Sequence, residues 1–122
     1  MNVAPVKPLI RSETLERVDI RVGTIVQVAD VPRSARLVRL TVDLGDHQRT
    51  IVAGLKQERQ DPRALEGRQA LFVVNLAPRT IMGQVSEGML LDIGYSDIGY
   101  SDGVVPVLAV PESPVPNGTR AG

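Results

Sequence analysis

The basic side chains of this sequence are the residues best suited to bind a ligand. Arginine presents a planar fork of N–H donors that matches a phosphate group, so arginines collected on one face can bind a phosphate backbone. Six basic residues lie in or beside the first half of the predicted sheet: Arg33, Arg36, Arg39, Arg49, Lys56 and Arg79. An ordinary solvated charged face is the alternative interpretation, and spacing alone leaves both open.

Arg79 and one further polar residue, Asn75, follow an uninterrupted apolar run that ends at Val74. Asn75 and Arg79 offer an amide and a forked cation, which can bind a phosphate, a sugar or an exposed base. Alternatively, Asn75 forms a turn at the end of the strand, and Arg79 is a solvated residue at a corner of the chain. Met82 and Met89 are more typical of core packing, although an exposed methionine can also contact a base.

Residues that could perform catalysis are scarce. His47 is the only histidine and lies in a predicted hairpin turn, where we expect it to be solvated. Ser86 lies between Gly83 and Gly88 at a spacing that does not match a nucleophile elbow. There is no cysteine, no glycine-rich phosphate loop and no spacing typical of a metal site. The sequence therefore predicts a protein that is not an enzyme and binds neither cofactor nor metal.

The composition predicts one globular domain outside the membrane. Of its 122 residues, 43% are hydrophobic and 23% are charged. No apolar run approaches the roughly 20 residues that span a bilayer, and the N-terminus lacks the pattern of a signal peptide. The lack of cysteine suits a cytoplasmic protein, which is the location we expect.

The overall charge gives no support for nucleic-acid binding, because 14 basic residues balance 14 acidic ones. Proteins that neutralise phosphates usually carry a basic excess. The sequence has no Trp, one Phe and two Tyr, so it offers few rings on which bases could stack. An RNA site would therefore need basic residues segregated onto one face.

Alternation of apolar and polar residues predicts the strands that would position these side chains. The first strand runs from Val18 to Val31, and its interruption at Gly23 indicates a bulge. Further strands are expected at 37–44, 49–53, 69–74, 88–93 and 104–108. The run at 69–74 is continuously apolar at its centre, and we expect it to be buried on both faces.

The order of the elements predicts the fold class. Between the third and fourth strands, Asp61 and Pro62 begin a short helix that Gly67 ends. Three strands, a short helix and two more strands follow the order of an OB-fold barrel. We therefore predict an all-β protein with a five-stranded OB barrel at residues 18–110, in which the last apolar run adds an edge strand.

The remaining segments are predicted as additions to this barrel. Residues 1–17 would form an N-terminal arm with one helical turn, for which Ser12 is the N-cap. Residues 111–122 are rich in proline and glycine and would wrap the surface as a C-terminal extension. The sequence Ile-Gly-Tyr-Ser-Asp at 93–97 is repeated at 98–102, which we interpret as a duplication that lengthens a loop.

The tract from Val18 to Leu91 resembles a known family. Its opening strand, Val18–Ile25, is similar to that of the stand-alone bacterial tRNA-binding proteins. The same module occurs at the C-terminus of many methionyl-tRNA synthetases and in the endothelial monocyte-activating polypeptide. Later motifs match in order and spacing: Val42-Asp43-Leu44-Gly45, Thr50–Leu55, Asn75–Arg79, Met82-Gly83 and Ser86–Leu91. The family fold is an OB barrel, in agreement with the order of the elements.

This resemblance implies binding to the outside of tRNA by shape and backbone, with little sequence preference. Matched position by position, the implied RNA-binding residues are Asn75, Arg79, Ser86 and Met89. Arg36 and Arg39 are implied as supporting RNA-binding residues. The loop Pro32–Arg36 departs from the family because it lacks the usual acidic tract, which makes it more basic.

The two ends of the chain resemble a sister branch, the CsaA-type secretion chaperones. The similar segments are the lead-in Leu15–Arg21 and the tail Val115–Gly118. Those proteins are described as homodimers that bind unfolded or exported polypeptides. The resemblance therefore implies a homodimer in either branch. It leaves an export chaperone as the alternative to a tRNA-binding protein.

Overall fold

The computed structural model describes residues 4–94 and 105–122. In chain order, its elements are α1 (Ser12–Glu16), β1 (Ile20–Asp30), β2 (Val38–Asp43), β3 (Gln48–Ala53), a 3-10 helix (Pro62–Leu65), β4 (Gln69–Val73), β5 (Arg79–Ile81), β6 (Gln84–Ser86), β7 (Met89–Leu90), β8 (Asp92–Ile93), β9 (Val107–Leu108) and β10 (Arg120–Ala121). The protein is therefore mostly β, as the sequence predicts.

The main sheet closes almost completely on itself. Its antiparallel strands follow the order β3-β2-β1-β4-β7, with β10 paired to β1. The two end strands meet where Glu87, just before β7, donates its backbone N–H to the carbonyl of Thr50 in β3 at 2.8 Å. In return, the Glu87 carboxylate accepts the Thr50 N–H at 3.0 Å. The predicted OB-type barrel of five strands is confirmed.

The core lies inside this barrel. Along β2, alternate residues from Val38 to Val42 are buried, whereas Arg39 is exposed, as the alternation predicts. Phe72 of β4 is fully buried at the centre. The expectation that both faces of β4 are buried is wrong for Leu71, which is only half-buried.

Strand β1 begins later than predicted, and its irregularity lies elsewhere. Val18 is 42% exposed and precedes the strand. The pairing of β1 with β2 shifts between Ile25 and Gln27, which places the bulge there and not at Gly23. A Cβ at Gly23 would lie 2.6 Å from Cγ1 of Val42. The glycine is therefore needed because β1 packs closely on the core, not because the strand breaks.

The helices lie where the sequence predicts, but one cap is wrong. Asp61 caps the 3-10 helix by accepting the Arg63 N–H at 3.2 Å, and Gly67 after its end has a φ of 89°. Ser12 is not the N-cap of α1. Arg11 occupies that position in an extended conformation without a capping side-chain bond, and Ser12 is the first helical residue.

Between β4 and β7, where the sequence predicts no strand, the chain forms a β-hairpin. Strands β5 and β6 pair in register from Arg79 opposite Ser86 to Ile81 opposite Gln84. The two turn residues between them have positive φ angles of 51° and 77°. Positive φ at both positions gives a two-residue turn whose twist matches that of a hairpin. A methionine as the first turn residue gives no sequence signal for it, since Asn, Asp and Gly are preferred there.

The last strands depart from a simple fifth and sixth strand. The predicted strand at 88–93 is divided, because β7 pairs with β4 whereas β8 pairs with β9 in a separate sheet. The C-terminal segment then returns to the start of the barrel, where β10 pairs with β1. Most of the tyrosine-containing repeat, from residue 95 onwards, lies outside the described residues. Among residues 4–94 and 105–122, no helix is long and apolar enough to cross a membrane.

Candidate nucleic-acid interface

A small apolar cluster attaches the β5–β6 hairpin to the outside of the barrel. Val31, Leu37 and Val52 are buried together, and Ile81 of β5 packs against them. Val52 lies opposite Arg39 in the β2–β3 ladder, and therefore on the outward face of the sheet. The hairpin thus covers one end of the outer β2–β3 surface, next to the loop between β1 and β2.

Ser86 holds this hairpin in place. The residue is only 5% exposed. Its hydroxyl accepts the Val52 N–H at 3.0 Å and donates to the carbonyl of Gly88 at 3.1 Å. These bonds join β6 to β3 and assign Ser86 a structural role. The hydroxyl predicted as an RNA contact is therefore buried inside the protein.

Arg39 touches the hairpin directly. Its Nη1 donates a hydrogen bond to Oε1 of Gln84 at 3.1 Å. Arg39 is exposed on β2, and Gln84 is the first residue of β6. Because the acceptor is a neutral amide, the contact orients the guanidinium without compensating its charge.

Arg36 lies against Gly54, the residue after β3. A Cβ built on Gly54 would lie 3.3 Å from Cγ and 3.5 Å from Cδ of Arg36. The backbone carbonyl of Arg36 accepts the Lys56 N–H at 3.1 Å. The aliphatic stem of this exposed arginine therefore rests on a glycine backbone at the end of β3.

Arg79 is exposed at the first position of the hairpin. Together, Arg36, Arg39 and Arg79 form what we call the arginine face. Within residues 4–94 and 105–122, none of the three is ion-paired to an acidic residue. Met89 is 47% exposed on β7, the strand that follows the hairpin. Loop β1–β2, strand β2 and the hairpin are the parts with which OB folds bind oligonucleotides.

Asn75 is exposed, but its amide already has partners. Its Oδ1 accepts the Asp19 N–H at 2.8 Å, and its Nδ2 donates to the carbonyl of Arg17 at 2.7 Å. These bonds tie the end of β4 to the residues before β1. A contact between this amide and RNA would have to share or replace them.

Two of the other basic residues are used inside the protein. Lys56 donates to the carbonyl of Ser34 at 2.6 Å and is ion-paired with Asp30. Arg49 donates to the carbonyls of Val74 and Glu87, which bracket the hairpin. These two cations therefore brace loops and do not belong to the arginine face.

His47 lies in the β2–β3 turn as predicted, with both ring nitrogens occupied. Its Nδ1 lies 2.6 Å from Oδ1 of Asp46, and its Nε2 accepts a hydrogen bond from Arg49 Nε at 2.9 Å. The contact with the imidazole lowers the pKa of the Asp46 carboxyl. Because Nε2 accepts from Arg49, Nδ1 is the ring nitrogen that donates to Asp46. Among the residues that the structure describes, no three His, Cys, Asp or Glu side chains are placed to hold a metal.

Gln84 and Gly54 were not identifiable from the sequence. Gln84 meets an arginine 45 positions away, and the turn that brings it there has an atypical first residue. Gly54 marks the end of a predicted strand, which is a sufficient reason for a glycine without any neighbour. Both roles depend on contacts between strands that are distant in sequence.

Comparisons with known proteins identify relatives of this chain. The family model described as "Putative tRNA binding domain" matches residues 20–120. A methionine–tRNA ligase of Nitrosomonas europaea is 38% identical over 118 residues, or 97% of this chain. The chain spans 16% of the length of that ligase and 13% of a second matched ligase.

Two solved structures share the fold over nearly the whole chain. A MetRS-related protein from Pyrococcus horikoshii has a TM-score of 0.82 and 30% identity, covering 95% of this chain and 100% of that one. The chaperone CsaA from Bacillus anthracis has a TM-score of 0.77 and 28% identity, covering 94% of this chain and 100% of that one. Because the family model extends from the first residue of β1 to the first residue of β10, the chain belongs to the tRNA-binding domain family.

Proposed function

We propose that this chain is a non-catalytic tRNA-binding module that recognises tRNA by shape and backbone, with little sequence preference. The observation that carries the proposal is the arginine face. In a chain of the tRNA-binding domain family, three exposed arginines extend from the β1–β2 loop across β2 to the hairpin. Guanidinium groups on these parts of an OB fold are suited to phosphate oxygens.

The distribution of charge explains how a chain with no net charge can bind an anion. Two carboxylates are paired with basic residues other than these arginines. Asp19 contacts Arg21 and Arg120, and Asp30 contacts Lys56. The hydrogen bond from Arg21 holds the pKa of Asp19 below its ordinary value, so this pair remains ionised at neutral pH. Pairing elsewhere leaves the positive charge of the arginine face uncompensated.

Contact with the backbone fits the described surface better than stacking of bases. The one phenylalanine, Phe72, is buried in the core, and both tyrosines lie outside the described residues. The described surface therefore offers bases no aromatic platform. Guanidinium groups bind phosphates whatever the base, which is the reason to expect little sequence preference.

The hydrogen bonds of the two candidate catalytic residues support a non-catalytic role. His47 is held by Asp46 and Arg49. The Ser86 hydroxyl bonds to two backbone groups of the barrel. A nucleophile needs a base within hydrogen-bonding reach, and neither residue has the other as a partner.

A chaperone for unfolded or exported polypeptides is the second candidate. Its support is the likeness to CsaA and a set of aliphatic side chains exposed at the N-terminal end: Val6, Leu9, Ile10 and Leu15. Exposed apolar surface of this kind marks a site of interaction. The same surface also suits a second copy of the chain.

We propose a homodimer in which the N-terminal arm lies on the partner. All described arm residues up to Val18 are exposed, and α1 buries no side chain. Beside α1 lies a groove of about 750 Å³, lined by α1, the start of β1, Leu71, Leu91 and β10. A five-residue helix is not stable alone in water, so a partner surface is expected to hold it.

A gel-shift titration with bulk tRNA at low and high salt tests the function. We expect micromolar or tighter binding that weakens steeply with salt, because phosphate contacts release counterions. Replacing Arg36, Arg39 and Arg79 by alanine should lower the salt slope by about 1 per lost contact. Arg68→Ala, an exposed arginine outside the arginine face, is the matched control.

Two results would overturn the proposal: no binding of the wild-type protein at low salt, or a slope that the triple variant leaves unchanged. Suppression of the aggregation of an unfolded client, unaffected by salt or by added tRNA, would instead favour the chaperone.

A further inference from the structure

We propose that Gln84 and Gly54 are positioning residues of the arginine face. Gln84 orients the guanidinium of Arg39, and Gly54 seats the stem of Arg36, so that both cations are held ready for backbone phosphates. This inference rests on the proposed RNA-binding function. It means that two uncharged residues strengthen RNA binding without contacting the RNA themselves.

Gln84 stands on a hairpin whose position is set by inward contacts. The two-residue turn pairs Gln84 with Ile81. Ile81 packs against the apolar cluster of Val31, Leu37 and Val52. The hydroxyl of Ser86, two residues along β6, bonds to β3. Because Ile81 of β5 and Ser86 of β6 both anchor the hairpin, the Gln84 amide is a fixed acceptor 3.1 Å from Arg39 Nη1. Among the described residues, only one of the five guanidinium N–H groups has an acceptor, which leaves the others for a ligand.

The neutrality of the Gln84 acceptor distinguishes Arg39 from another arginine of the same sheet. Arg21 meets the carboxylate of Asp19 through two hydrogen bonds, of 3.0 Å from Nε and 3.1 Å from Nη2. That arginine is oriented and its charge is compensated. Arg39 is oriented by an amide, so it keeps its full positive charge on the outer surface. Orientation with the charge retained is what a phosphate contact requires.

A glycine is needed at position 54 because the Arg36 side chain lies against it, not because the backbone conformation requires one. It is absent from the glycines with positive φ, so an alanine could adopt its conformation. The three atoms nearest to an added Cβ all belong to Arg36: Cγ at 3.3 Å, Cδ at 3.5 Å and Nε at 3.9 Å. A methyl group at this position would therefore push the Arg36 side chain aside by a few tenths of an ångström, before it met anything else.

Holding an arginine in place reduces the rotamer freedom that it loses when RNA binds. Immobilising one long side chain weakens association by about twofold to tenfold, so this is the gain expected from each positioning residue. The gain does not depend on salt, because positioning changes neither the number of phosphates contacted nor the charge of the protein.

Gel-shift titrations of tRNA in two double-mutant cycles test the inference. Gln84→Ala should weaken binding by about twofold to tenfold with an unchanged salt slope, and should have no further effect when Arg39 is already alanine. Gly54→Ala should behave in the same way towards Arg36→Ala. Gln84→Glu keeps an acceptor but compensates Arg39, so it should also lower the slope by about 1. Gln60→Ala, an exposed glutamine of the β3–β4 connection, is the control.

The outcomes separate this inference from the function on which it rests. If the wild-type protein binds tRNA and Arg39→Ala weakens it, but Gln84→Ala does not, the positioning role is overturned. It is also overturned if Gln84→Ala weakens binding equally without Arg39, because Gln84 then contacts RNA itself. If wild-type protein does not bind tRNA, the proposed function fails first. Thermal unfolding of each variant shows whether the hairpin is still folded.

Discussion

Hydrogen-bond partners decide which of the six predicted contact residues remain available to a ligand. The sequence predicts Ser86 and Asn75 as contacts, whereas in the fold both side chains bond to backbone groups of their own chain. Arg36, Arg39 and Arg79 are exposed without acidic partners in the described residues. A polar residue at a strand end can satisfy the chain or a ligand, and only its neighbours decide between the two.

Glu58 and Asp92 make the stability of the barrel depend on pH. Oε2 of Glu58 and Oδ1 of Asp92 are buried without a hydrogen-bond partner among the described residues. Burial and the neighbouring carboxylate of Asp92 raise the pKa of Glu58 from 4.5 to about 7, while nearby Arg59 opposes the shift. Glu58 therefore keeps its proton to a higher pH in the folded state than in the unfolded chain, and it loses that proton as the pH rises.

We expect the contribution of this carboxyl pair to stability to fall as the pH rises from about 4.5 to above 7. The folded state keeps a proton in this range that the unfolded chain has released, so a higher pH favours unfolding. Glu58→Gln offers Asp92 a donor that does not titrate. The variant should flatten this part of the profile and be more stable than wild type above about pH 7.

Urea unfolding at about pH 5 and about pH 8 measures this effect. Glu112→Gln, at an exposed position of the C-terminal segment, is the control. If the stability of Glu58→Gln changed with pH in parallel with that of the wild type, the raised pKa of Glu58 would be contradicted.

At the scale of elements, the β5–β6 hairpin connects the fold to the site. It seals the barrel against β3 through Ser86, and Arg79 and Gln84 lie on the same face of the hairpin as Ser86. Strands β1 and β2 follow from the alternation of apolar and polar residues in the sequence. The hairpin does not, because its strands have three residues each and its turn begins with a methionine.

We expect Met82→Asn to stabilise the protein. Met82 has a φ of 51°, a left-handed conformation that costs an ordinary residue about 1–2 kcal/mol, and Asn-Gly is a preferred pair for this turn. The gain should be a few tenths to about 1 kcal/mol in the free energy of unfolding. Thermal unfolding measures it.

Val85→Asn is the matched control, because this exposed residue lies within a strand of the same hairpin, where asparagine is unfavourable. If Met82→Asn were no more stable than Val85→Asn, the turn would not be the source of strain.

At the scale of the whole molecule, no side chain of the arm is buried on its own barrel from residue 4 to the end of α1. Val6 is 94% and Leu9 98% exposed, although the arm continues directly into a closed sheet. The groove beside α1 is lined by Ser12, the first residue of α1, and by Gly122. The proposed homodimer would cover these surfaces together.

We expect Leu9→Asp combined with Ile10→Asp to dissociate the homodimer while the barrel remains folded, because charged side chains cannot be buried unpaired in an interface. Sedimentation velocity at micromolar concentration measures the mass, and circular dichroism checks the fold. Val26→Asp, an exposed apolar position further along β1 and outside the groove, is the control. A wild-type protein that sediments as a monomer would refute the homodimer.

The sequence by itself determined the all-β class, the three long strands and the capped helix between β3 and β4. Alternation along a strand and a cap before a helix are local properties, which neighbouring residues specify. Resemblance in the motifs from Val18 to Leu91 also identified the family, which the match over residues 20–120 confirms.

Only the tertiary structure decided which polar residues serve the barrel and which face outwards. Ser86 became part of the closure because β6 lies beside β3, and Gln84 became a partner of Arg39 because the hairpin folds over β2. The bulge near Ile25 and the pairing of β10 with β1 also depend on strands that meet only in the folded chain. Contacts of this kind join residues far apart in sequence, so no local pattern specifies them.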